Sequence, residues 1–193
     1  MRAPATKGIS YAEYLALERT TGVRHEFASG TAWAMAGGSV RHSAIKTNLT
    51  ALFRGALRDT PSRPYDSDLK VRVLATGLAT YPDLSVVCGR PQLDPEDGHA
   101  VTNPTLLVEV LSPDTEAWDR GGRFAHYRRI PSLRHYLLVS QDVARIEHYE
   151  LLADGSWRLT EHGAGQAIPL SALSIELPVD PVYEDLPPEG PPP

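Results

Sequence analysis

The run Leu106-Leu107-Val108-Glu109-Val110-Leu111 is apolar at every position but one, and this limits the fold more than anything else in the chain. A strand with one wet face alternates apolar and polar residues, whereas an unbroken run belongs to a strand covered on both faces. This segment, stopped by Pro113, is therefore predicted to be an interior strand with Glu109 inside it. A second apolar strand, Asp83 to Cys88, opens on an acid that follows Pro82. Carboxylates are rarely buried without a partner, because removing their charge from water is costly. Two neighbouring acids also repel unless a cation or a proton lies between them. A hard divalent cation such as Mg²⁺ suits such a pair, since it takes oxygen ligands and keeps several waters. The alternative is a buried arginine beside each acid, or an Asp83 that merely caps the turn after Pro82.

The elements around these strands follow from spacing. Ser10 with Glu13 makes a capping-box pattern for a helix over Tyr11 to Arg19, ended by Gly22. His25-Glu26-Phe27 and Thr31 to Met35 read as a hairpin turned at Ala28-Ser29-Gly30. Ile45, Leu49, Leu52, Phe53, Ala56 and Leu57 recur at helical spacing and predict a helix over Ser39 to Arg58. The Pro-containing stretch from Thr60 to Pro64 ends it, and Leu69 to Leu74 is a strand. Gly89 to Asn103 reads as a long polar surface loop. A helix runs from about Ala117 to Ile130, and strands follow at Arg134 to Val139, Ala144 to Leu151 and Trp157 to Thr160. Ile168 to Leu173 and Ser174 to Leu177 close the domain. The order predicts an α/β (α+β mixed) fold with one mixed sheet flanked by helices. A single domain spans residues 1–186, and the Pro-rich tail, 187–193, is expected to be disordered or polyproline-like.

Composition removes several classes of function. A single cysteine, Cys88, excludes an internal disulfide and a four-cysteine zinc site, leaving a buried structural thiol. No apolar stretch approaches the ~20 residues that span a bilayer. Met1 to Ser10 has no apolar core of a secretory signal, so a cytoplasmic protein is expected. The net charge of −5 argues against indiscriminate binding of nucleic acid over a basic surface. It leaves room for a site whose acids are offset by a bound cation.

The ordered set of short motifs is familiar. Tyr81-Pro82-Asp83-Leu84-Ser85-Val86-Val87, Leu107-Val108-Glu109-Val110-Leu111-Ser112-Pro113 and Asp119-Arg120-Gly121-Gly122-Arg123 with Tyr127 resemble the Uma-two family of restriction endonucleases. His135-Tyr136-Leu137-Leu138-Val139 continues the match, and His25-Glu26-Phe27 with Gly30, Met35 and His42 begins it. The resemblance covers Tyr11 to Leu177 and implies a restriction-endonuclease-like, PD-(D/E)xK fold with metal-dependent hydrolysis of DNA. It implies Mg²⁺, with Mn²⁺ as a substitute, held by Asp83, Glu109 and an additional acid, Glu26. It also implies a lysine on the following helix, four residues before a tyrosine. Here that position is Arg123, four before Tyr127, while Leu111 stands two residues after Glu109. An arginine can stabilise a phosphate but is a poor general base.

Other residues carry weaker signals. His42, at the start of the long helix, either contacts substrate phosphate or packs the helix entrance. Lys70 either substitutes for the absent lysine at the substrate or is a solvated strand residue. Asp119 is spaced to pair with Arg123 at i,i+4. His99, His126, His148 and His162 share no ligand spacing and read as surface residues. Tyr127 and Tyr136 read as core aromatics. A homodimer would suit an enzyme that cuts both strands of DNA. The rival reading is a nuclease-fold protein that binds nucleic acid or a partner without cutting.

Overall fold

The computed structural model describes residues 5–35 and 37–188. The tail beyond Pro188 lies outside the described residues; before it, Arg41 Nη1 donates to the Pro187 carbonyl at 3.0 Å. The first elements are β1 (Ala5–Lys7), α1 (Tyr11–Thr21), β2 (His25–Ala28), β3 (Thr31–Ala34) and α2 (Val40–Ala56). The strands β4 (Ser62–Asp66), β5 (Lys70–Val73), β6 (Leu78–Thr80), β7 (Leu84–Cys88), β8 (Ala100–Val101) and β9 (Leu106–Val110) come next. A helical segment over residues 116–127, α3, precedes β10 (His135–Val139), β11 (Arg145–Leu151) and β12 (Trp157–Gly163). β13 (Ala167–Leu170) and β14 (Ile175–Pro178) form a small closing pair.

Local chemistry explains the helix ends. Ser10 Oγ accepts from the Glu13 N–H at 3.2 Å while the Ser10 N–H donates to Glu13 at 2.7 Å, so the capping box is closed. Gly22 ends α1 at φ 66°, a left-handed position that favours glycine. Ser39 caps α2 by accepting from the His42 N–H at 3.0 Å. No described helix is long and apolar enough to cross a membrane.

The central sheet has the order β12-β11-β10-β9-β7-β4 and is mixed, with β9 and β10 parallel and the other neighbours antiparallel. Its strand β9 is the interior strand foreseen from the apolar run. Leu106, Val108 and Val110 pack with Ile45, Leu49 and Phe53 of α2. Leu107 and Leu111 face the other way, toward Tyr127, Tyr136 and Leu138. The mixed α/β class is as expected, but the expected single sheet is two. A second six-stranded sheet among the described residues, β1-β3-β2-β6-β5-β8, takes the N-terminal hairpin and the strand at Val71. It packs on the face of the central sheet away from α2, where Val71, Val73 and Leu78 join the Leu107 cluster. Four strands were missed in the sequence: β1, β4, β6 and β8, the last inside the stretch read as a long loop. β4 contains Pro64, which is tolerated because β4 lies at the sheet edge. β6 has only a few residues between two turns.

One correction concerns histidine. His148, read as a surface residue, is 1% exposed, and His135 beside it is fully buried. The Ala172 N–H donates to His135 Nε2 at 3.2 Å, so the proton of His135 sits on Nδ1. That Nδ1–H faces His148 Nε2 at 2.9 Å, which makes His148 the acceptor. Burial lowers both rings from 6.5 to about 4, Glu150 pulling against it at each. Nearby Arg134 adds to the lowering at His135, and His135 itself adds to it at His148. An unfolded histidine titrates near 6.5, so the unfolded chain binds more protons between about pH 6.5 and 4. The stability of this pair is therefore complete above about pH 6.5 and falls as the pH drops toward 4. Urea midpoints measured between pH 7.5 and 4.5 should decrease, and less steeply in His148→Gln, which keeps an acceptor for His135. An identical slope in the variant would contradict the assignment.

Candidate active site

A cleft of about 330 Å³ opens where the two sheets, α2 and α3 meet, and Glu26, His42, Tyr81, Asp83, Glu109 and Arg123 all line it. The strand register explains why its two principal acids are neighbours. β7 and β9 are antiparallel with Leu84 opposite Val108, so the residue before Leu84 reaches the level of Glu109. Asp83 occupies that place. Its Oδ2 accepts from the Val110 N–H at 2.8 Å, which fixes the side chain against β9. The same oxygen lies 3.1 Å from His42 Nε2, and Oδ1 lies 3.3 Å from Lys46 Nζ. Burial pushes the Asp83 carboxyl up, but the His42 contact, the charges on α2 and the Val110 N–H outweigh it. The result is a group held below its ordinary value.

His42 reaches Asp83 because the preceding loop is bare. A Cβ on Gly38 would lie 2.5 Å from His42 Nδ1, so a larger residue there would displace the ring. Lys46 is one helical turn further along α2, on the same face.

Glu109 has a different environment. Tyr127 OH donates to Oε1 at 2.7 Å, and Oε2 lies 3.1 Å from Arg123 Nη1. Burial raises its carboxyl well above the usual range; Arg123 opposes that, and the charges of Asp119 and Asp83 reinforce it. Arg123 is itself buried. Its Nη2 donates to Glu26 Oε2 at 2.7 Å, and Nη1 also pairs with Asp119. Burial works against the guanidinium charge, but Glu109 and Glu26 more than offset it and keep the group charged.

The helix that supplies Arg123 is locally widened. α3 is α-helical at Glu116–Trp118 and Phe124–Tyr127, with a π-type turn over Asp119–Arg123 between them. Such insertions recur at functional sites because they re-aim side chains without ending a helix. Gly122 permits this one: the Trp118 ring lies where its Cβ would be. Thr115 Oγ1 donates to Asp119 Oδ2 at 2.8 Å and orients that acid toward Arg123.

Asp83, Glu109, Glu26, Arg123 and His42 thus converge as the sequence implied, and Asp119 pairs with Arg123 as its spacing predicted. Three expectations need correction. Glu26 is not grouped with Asp83 and Glu109 as a third ligand among the described residues; its Oε2 accepts from Arg123 and, at 2.9 Å, from Thr80 Oγ1. Among the described residues no three His, Cys, Asp or Glu side chains are grouped to hold a metal. Lys70 is neither at the cleft nor solvated: it is 6% exposed, and its Nζ lies 2.8 Å from Glu18 Oε2 and 2.7 Å from Asp97 Oδ2. Arg123, expected to brace a phosphate, is engaged by carboxylates through both terminal nitrogens. The residue that sequence reasoning missed is Lys46; its place four residues after His42 is the one signal that could have found it.

The donor set still suits a divalent cation. Asp83 and Glu109 are adjacent oxygen donors on a cleft, and Asp83 raises Glu109, the repulsion that a cation would relieve. Mg²⁺ is commonly held by only one or two carboxylates, with water completing its shell.

The comparisons with known proteins identify the family and agree with this fold. Residues 11–180 match the model of the Uma2 family, described as "Putative restriction endonuclease". The uncharacterized protein slr1290 of Synechocystis sp. is 39% identical over 187 residues, covering 95% of each chain. A second uncharacterized Synechocystis protein, sll1609, is 35% identical, covering 91% of this chain and 99% of its own. Among solved structures, a protein described as a putative nuclease belonging to DUF820 from Anabaena variabilis superposes with a TM-score of 0.70. That match has 16% identity, covers 84% of this chain and 91% of the other, and so speaks to the fold alone. With the family model spanning nearly the whole domain and the nuclease-like fold in place, the chain belongs to the Uma2 family of restriction-endonuclease-like proteins.

Proposed function

We propose that the protein is a metal-dependent endonuclease that hydrolyses DNA phosphodiester bonds, with Asp83 and Glu109 as the carboxylates that hold Mg²⁺ or Mn²⁺. The observation that carries this reading is their adjacency across β7 and β9 in an open cleft. When bound, such a cation offsets charge on the scissile phosphate and activates a water. The protein's own residues prepare the place. Val110 fixes Asp83 through its N–H, and Tyr127 fixes Glu109 through its hydroxyl. His42, at the cleft wall in the first turns of α2, is positioned to meet a phosphate, and the N-terminus of that helix favours an anion. Glu26 serves by holding Arg123 rather than the metal. Arg123 serves by balancing the acids, a task that does not require it to give up a proton.

A second reading, a nuclease-fold protein that binds nucleic acid or a protein partner without cutting, is favoured by one feature. Arg123 already neutralises acids that a metal would otherwise neutralise. Cleavage of supercoiled plasmid in Mg²⁺ or Mn²⁺ separates the two. The endonuclease reading expects activity in the wild type and a loss of ~100-fold or more in Asp83→Ala and Glu109→Ala. Equal cleavage by all three would refute it, and binding without cleavage by the wild type would support the second reading.

The part given to Arg123 has its own test. Arg123→Ala removes the buried guanidinium that Glu26, Glu109 and Asp119 share. Breaking a buried pair in this way costs about 3–5 kcal/mol. Urea unfolding should show a loss of that order for Arg123→Ala and a smaller one for Arg123→Lys. A stability within about 1 kcal/mol of wild type for Arg123→Ala would contradict the assignment.

A further inference from the structure

Among the described residues, Arg123 and Lys46 both pair with acids of the cleft, and they are held very differently. Arg123 is buried and fixed by Glu26, Glu109 and Asp119. Lys46 keeps a quarter of its side chain exposed (25%), and its Nζ bridges Asp83 Oδ1 at 3.3 Å and Ser67 Oγ at 2.9 Å. Asp83 Oδ2 is committed to the Val110 N–H and to His42, so Oδ1 is the oxygen with capacity to spare. Among the described residues its partner is the Lys46 ammonium. An ammonium on a flexible stem is a point charge that can move, whereas a forked guanidinium locked by carboxylates cannot.

We propose that Lys46 is the exchangeable counter-charge of the site, neutralising Asp83 Oδ1 until a divalent cation takes that oxygen, with Ser67 retaining the displaced ammonium. This rests on Asp83 being a metal ligand. Lys46 is therefore a positioning residue: it holds Asp83 Oδ1 in place in the free protein and competes with the incoming ion. Two positive groups at one carboxylate repel, so removing the lysine's charge strengthens cation binding, and keeping the charge in another shape does not.

Titration calorimetry with Mn²⁺ alone tests this on the wild type, Lys46→Met, Lys46→Arg, Asp83→Ala and Glu109→Ala. Lys46 lies at the helix surface, and a thermal melt of each variant confirms folding. Lys46→Met is expected to bind Mn²⁺ about tenfold more tightly than wild type, and Lys46→Arg to stay close to wild type. Mn²⁺ binding that is present in the wild type, lost in Asp83→Ala, and unchanged or weaker in Lys46→Met overturns the role of Lys46 alone. Binding that survives both Asp83→Ala and Glu109→Ala, or is absent from wild type and Lys46→Met alike, overturns the metal reading on which it rests.

Discussion

Arg123 gathers acids from three separate elements at one point. Glu26 comes from β2 of the second sheet, Glu109 from β9 of the central sheet, and Asp119 from the widened turn of α3. Each acid would be costly to bury alone, and together they would repel. The guanidinium makes their convergence tolerable, and its fork reaches several oxygens at once. The π-type turn, the bare Gly122 under Trp118 and the Thr115 bond to Asp119 all read as consequences of bringing this one group to its place.

The remaining acid is treated in the opposite way. Asp83 is held below its ordinary value by a backbone N–H and by basic groups on α2, while Glu109 one strand away is pushed up by burial. Two carboxyl groups this close repel when both are ionised, and a cation or a proton between them relieves that repulsion. The helix that covers one face of the central sheet therefore does two jobs. Ile45, Leu49 and Phe53 seal the core, and His42 and Lys46 on the adjoining face tend Asp83.

The sequence disclosed the elements whose signals are local. The period of Ile45, Leu49 and Phe53 marked α2, Ser10 with Glu13 marked α1, and one acid in an apolar run marked β9 and its buried site. Asp83 stood out as the acid opening an apolar strand after Pro82, whereas the positions of Glu26 and Arg123 came from the family pattern, because nothing in their immediate spacing says that their elements converge. What stayed hidden depends on partners distant in the chain. Pro64 disguised β4 because edge position is a property of the sheet, and the second sheet arises from pairings such as β5 with β8 across a long loop. His148 looked like a surface residue because its acceptor role requires His135 on another strand. Lys70 looked solvated because Glu18 and Asp97, which bury it, lie far away in sequence. Lys46 resembled any helix lysine until Asp83 was found beside it.

Anomalous diffraction from a crystal soaked in Mn²⁺ tests the divalent-cation site proposed at Asp83 and Glu109. One anomalous peak is expected within about 2–2.5 Å of oxygens from both carboxylates. A crystal in which Mn²⁺ binds elsewhere, with Glu109 still closed on Arg123 and Asp83 on Lys46, would contradict it.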